Sequence, residues 1–133
     1  MNNTWIGVDL DGTLAYYDKW VAWNIIGKPI PLMLERIKSW IDQGKTVKIF
    51  TARVAFNWDT CKVDGYTFTK QEMIETIQDW LQSNGLPRLH VTATKDFNMI
   101  ELWDDRCIQV VPNTGRTLTE EHLAEITALK GKP

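Results

Sequence analysis

Cysteine, histidine and long apolar runs are what this chain has least of. Its two cysteines, Cys61 and Cys107, stand far apart with no partner at metal-binding or redox-motif spacing. That pattern excludes a cysteine zinc site and leaves either one disulfide or, as we read it, two buried, reduced thiols of a cytosolic protein. His90 and His122 are too few and too scattered for a histidine-based zinc site. No apolar run approaches the roughly 20 residues needed to cross a bilayer. The opening Met1-Asn2-Asn3-Thr4 lacks the basic and apolar regions of a signal peptide. A formal net charge of −2 without any basic run gives no electrostatic basis for a nucleic-acid or membrane partner. There is no repeat, low-complexity tract or linker. We expect one soluble, cytoplasmic domain over residues 1–133, long enough to bury a core.

What the chain does have is concentrated near its start. Thr4-Trp5-Ile6-Gly7-Val8 is a short apolar run of strand formers, and it ends in Asp9-Leu10-Asp11-Gly12-Thr13-Leu14. Residues i and i+2 of an extended segment project the same way, so Asp9 and Asp11 put two carboxylates on one side of a strand's carboxyl end. Two like charges about 4 Å apart cost roughly 4 kcal/mol at an effective dielectric near 20. A cation must offset that, or one group must hold a proton. Gly12 supplies the sharp exit from the strand.

Further on, 15–28 is irregular and aromatic. Pro29 and Pro31 suit a helix start, and Met33, Leu34, Ile37, Trp40 and Ile41 recur at helical spacing up to Gly44. A second strand spans 46–51, with Lys48 interrupting its apolar character. The 54–68 segment reads as irregular and holds the turn signal Asp64-Gly65. Thr69-Lys70-Gln71-Glu72 is a capping box opening a helix with Met73, Ile77, Trp80 and Leu81 on one face. Strands follow at 90–93, 99–103 and 108–111. Thr117-Leu118-Thr119-Glu120 caps a last helix carrying Leu123, Ile126 and Leu129. Alternating strands and helices predict an α/β fold, a parallel, Rossmann-like sheet of about five strands with helices on both faces. In such sheets ligands bind outside the strands' carboxyl ends. Asp9, Asp11, Thr51, Lys95, Asp104 and Asp105 all fall at or just after those ends.

This ordered set, Asp9-x-Asp11-Gly12-Thr13, then Thr51, then Lys95, then Asp104-Asp105, resembles the four motifs of the haloacid dehalogenase-like (HAD) phosphohydrolases, from Trp5 to about Val111. The likeness is to small members with no sizeable cap domain. It implies Asp9 as a nucleophile that forms an aspartyl-phosphate, ionised without any base. Asp11 would be the general acid and base, its pKa raised by a charged neighbour. Mg²⁺ would be held by Asp9, the Asp11 carbonyl and Asp104. Asp105 either binds that metal through water or pairs with Lys95. Thr51 and Lys95 would hold phosphoryl oxygens, with backbone N–H groups from Leu10 to Gly12 and at Ala52. The residual negative charge calls for an arginine, Arg53 or Arg106.

Seven tryptophans are many for this length. Trp40 and Trp80 read as core, and Trp5 and Trp103 as packing around the acidic motifs. Trp20, Trp23 and Trp58 lie near the proposed mouth. They either pack a long loop or stack on a base or sugar, and Trp58 and Trp23 lean toward a nucleotide. The expected partner is a phosphorylated small molecule or a macromolecular phosphate ester, with access set by 15–28, by 54–68 or by a second subunit of a homo-oligomer. The other readings are a phosphoryl-accepting signalling module with slow or no turnover, and an idle member of a larger assembly.

Overall fold

The computed structural model describes residues 3–119. The helix expected around Leu123, Ile126 and Leu129 falls outside those residues, as does His122. Strand β1, Trp5–Val8, is buried at all four positions. Helix α1, Pro31–Asp42, begins with proline at its first turn and no side-chain cap, and it buries Met33 and Ile37. Strand β2, Thr46–Phe50, turns Val47 and Ile49 inward. Lys48 points the other way, its ammonium 4.6 Å from the centre of the Trp5 ring. The polar interruption read in the sequence is thus a cation on an aromatic face.

Strands β3, Thr60–Val63, and β4, Tyr66–Thr69, form an antiparallel hairpin where the sequence reading expected irregular chain. Asp64 and Gly65 both take positive φ, 51° and 81°, as a tight two-residue hairpin turn requires. Helix α2, Lys70–Ser83, carries the expected capping box between Thr69 and Glu72, and buries Met73, Ile77 and Leu81. Strands β5, Val91–Thr92, and β6, Met99–Trp103, complete the described elements.

Four strands form one parallel sheet in the order β5-β2-β1-β6. The step from β1 through α1 to β2 and the step from β2 through α2 to β5 run the same way along the sheet. Right-handed crossovers then put both helices on one face. The core agrees: Ile6, Val8, Val47 and Ile49 share a single cluster with Met33, Ile37, Met73, Ile77 and Leu81. Among the described residues the sheet has four strands rather than about five, and both described helices lie on one face. The stretch 108–111 is not a strand; Val110 makes only an isolated bridge to Thr117. Ile108 and Val110 are exposed, so the burial that gives apolar residues their strand preference is missing.

Between β1 and α1 the chain forms a strap over the sheet's carboxyl edge. It is tied down by bridges from Ala15 to Asp11 and Pro29 and by the indole N–H of Trp80, which donates to the Gly27 carbonyl at 3.0 Å. The Trp23 ring stacks on Phe68 with centroids 4.8 Å apart. Gly27 must be glycine, because a Cβ there would run into the Tyr16 carbonyl. Replacing Trp80 by phenylalanine keeps the apolar bulk but strands that carbonyl. We expect about 1–2 kcal/mol of lost stability in urea titrations, with an unchanged m-value.

Candidate metal site and adjoining cavity

The sheet register brings the acidic residues together. Val8 pairs with Trp103, and the Asp9 N–H donates to the Trp103 carbonyl at 2.8 Å. Asp9 and Asp104 are therefore the first residues past two neighbouring strands. Carboxylate oxygens of Asp9, Asp104 and Asp105 lie within 4.8 Å of one another. Thr13 links two of them: its hydroxyl accepts from the Asp105 N–H at 3.0 Å and lies 3.3 Å from both Asp9 Oδ2 and Asp105 Oδ1, to one of which it donates. Thr13 was not singled out as a site residue, although its place in the first motif was the available signal.

Burial, first, and then a hydrogen bond shared with Asp105 and the charges of Asp104 and Asp105 push the Asp9 pKa up to about 7. Burial and neighbouring charge thus oppose the ionisation expected of Asp9, and a cation held beside it would favour that ionisation. Three hard oxygen donors, two half-buried and that of Asp105 exposed, suit Mg²⁺ or a similar divalent ion, whose charge would offset their repulsion.

Gly12 is demanded twice at this site. Its φ is +92°, and a Cβ would sit 2.5 Å from Asp105 Oδ2. Asp11 looks elsewhere: Arg53 clasps it through both oxygens, at 2.7 and 2.9 Å. The charged neighbour anticipated for Asp11 is thus a guanidinium, not a carboxylate. The same guanidinium donates to the carbonyls of Trp23 and Ile25 at 3.0 and 2.9 Å and lies over the Trp20 ring at 4.9 Å. Its side chain is 5% exposed. Arg53, expected at the substrate, lines the cavity and directs these hydrogen bonds to the protein itself.

A cavity of about 570 Å³ opens beside the carboxylates. Asp9, Asp11, Thr51, Ala52, Arg53, Asp104 and Arg106 line its polar side. Thr51 is buried, its side chain accepting from the Arg53 N–H at 3.1 Å. Arg106 makes no ion pair among the described residues, so it, rather than Arg53, is the cation free to face an anion. Lys95 is exposed on the loop after β5, forms no hydrogen bond or ion pair with a described residue and does not line the cavity. Its charge acts on Cys107. Trp58, at 74% exposed, also stands away from the lining; Trp20 and Tyr17 are among the aromatic residues there. Both cysteines are free thiols; Cys61 is half-buried in the cavity wall, and Cys107 is exposed, against expectation. His90 is exposed.

No family model matches this chain, and no curated protein matches it. The solved structure of a conserved protein from Bacteroides thetaiotaomicron is similar in fold, with a TM-score of 0.53 over 98% of this chain and 94% of that one. Sequence identity is 16%, so the likeness shows a shared α/β fold and nothing of activity. Among the described residues no helix is long and apolar enough to cross a membrane.

Two outcomes follow from this geometry. Gly12→Ala forces a strained φ and displaces the Asp105 carboxylate, lowering stability by about 1–3 kcal/mol in urea titrations. For Asp9, the folded pKa near 7 exceeds the ordinary aspartate value of 3.8. The folded metal-free chain therefore holds a proton that the unfolded chain has lost across that window, and this group's contribution to stability falls as pH rises from about 4 to about 7. Thermal melts over that range, compared with Asp9→Asn, should show a downward slope in the parent that the variant largely loses.

Proposed function

We propose that this chain is a Mg²⁺-dependent phosphomonoesterase of the HAD type, working through an aspartyl-phosphate on Asp9. The observation that carries the reading is the convergence of Asp9, Asp104 and Asp105 within 4.8 Å at the ends of two adjacent parallel strands, beside a cavity large enough for a substrate. Asp9, Asp104 and Asp105 would hold the ion. Bound there, it supplies the positive charge that lets a carboxylate and a phosphate dianion approach.

The Asp9 oxygen attacks phosphorus, forming a P–O bond as the bond to the leaving oxygen breaks. Asp11 gives that oxygen a proton. In the second half a water transfers its proton to Asp11 and attacks phosphorus, releasing phosphate and restoring the Asp9 carboxylate. The Thr51 hydroxyl and the Arg106 guanidinium, both at the cavity, orient the phosphoryl oxygens. Lys95 would reach them only by extending its flexible stem from the neighbouring loop.

One observation favours a second reading, a phosphoryl-accepting module with slow turnover. Both Asp11 oxygens are held by Arg53, so the group that must activate water is already engaged. Phosphate release from an aryl phosphate with Mg²⁺ tests both. We expect multiple turnover, lost on chelation and reduced at least about a thousandfold in Asp9→Asn. A single stoichiometric burst with a long-lived acid-stable adduct would select the module, and turnover indifferent to Asp9→Asn would remove Asp9 as nucleophile.

A further inference from the structure

The cavity has a wall that the phosphoryl chemistry leaves unused. Phe50, Phe56, Cys61, Val63, Phe68 and Met73 line it, from the end of β2, the following loop, the β3–β4 hairpin and the first turns of α2. Tyr17 and Trp20 approach from the strap. The rings are fixed by each other. Phe56 meets Phe68 edge to face at 5.9 Å, and Trp23 stacks behind Phe68 at 4.8 Å. On the polar side Asp11 and Arg53 satisfy one another, while Asp9 and Asp104 belong to the acidic cluster.

That distribution discriminates among leaving groups. A sugar brings several hydroxyls, and against Phe, Val and Met each one left unpaired costs about 1–3 kcal/mol. A flat ring loses little on leaving water and gains burial and edge or face contacts. The volume lies within the roughly 300–1,000 Å³ typical of small-molecule sites. Resting on the phosphohydrolase reading above, we propose that the substrate is a phosphomonoester whose leaving group carries a planar aromatic ring, seated against Phe56 and Val63 while the phosphate meets Asp9. A nucleobase and a simple aryl group share this chemistry.

Binding and turnover separate the two layers of inference. With Mg²⁺ present, calorimetry measures adenosine 5′-monophosphate, phenyl phosphate and glucose 6-phosphate on the parent, Phe56→Ala and Val63→Asn, and phosphate release is followed on the same samples. Both ring-bearing esters should bind at least about tenfold tighter than the sugar phosphate, and each substitution should cut that ratio on the order of tenfold. Tighter binding of the nucleotide than of phenyl phosphate assigns the pocket to a nucleobase; parity assigns it to any aryl group. Equal binding of all three esters, or a ratio unmoved in both folded variants, overturns the pocket whether or not phosphate is released. Ring-selective binding without phosphate release upholds the pocket and overturns the hydrolase. Should Phe56→Ala fail to fold, Val63→Asn reads the same ratio.

Discussion

Mutual repulsion of carboxylates at one corner of the sheet is the constraint around which the rest is arranged. Oxygens of Asp9, Asp104 and Asp105 within 4.8 Å cost on the order of 3 kcal/mol per ionised pair at an effective dielectric near 20. No flexible loop would gather three like charges unless the backbone left little choice. Here the choice is made by β1 and β6, whose register sets Val8 beside Trp103 and thus Asp9 beside Asp104. Four buried residues in β1 and the Trp40–Trp103 contact behind β6 hold that register. Core packing is what keeps the anions together, and the Asp9 pKa is raised first by that burial and then by the neighbouring Asp105 and Asp104.

The return of the chain matters as much as the register. From β1 it moves outward through β2 to β5, then crosses back to add β6 on the far side of β1. The crevice at such a reversal is where open parallel sheets present ligand sites. Asp9, Thr51 and Asp104 occupy it because each directly follows a strand, and the hairpin inserted between β2 and α2 adds an apolar wall that a minimal sheet would not have.

Much of this was legible because its signals are local. The apolar run before Asp9, the capping box at Thr69 and the helical spacing of Met73, Ile77 and Leu81 each act within a few residues, and each appears where expected. The hairpin was missed although Asp64-Gly65 marked its turn, since Thr60–Val63 and Tyr66–Thr69 are too polar and too short to announce burial. Ile108 and Val110 misled in the opposite sense, being strand formers that gain no neighbouring strand among the described residues. The role of Arg53 could not be read at all. Its partners Asp11, Trp23 and Ile25 lie 42, 30 and 28 residues away, and only the folded strap brings two carbonyls to one guanidinium.

That guanidinium couples two things that sequence motifs treat separately. Arg53 donates to both Asp11 oxygens and to two strap carbonyls, so four acceptors fix one nearly buried cation. A planar fork is suited to this, because its donors are already oriented and little rotamer freedom is lost per bond. Lifting the strap would strip two acceptors and leave the cation held by Asp11 alone; freeing Asp11 would leave a buried charge with neutral partners only. Either costs more than breaking an exposed ion pair, since the groups left behind are desolvated. The position of the strap over the cavity and the hold on the Asp11 carboxylate are therefore energetically linked through one side chain.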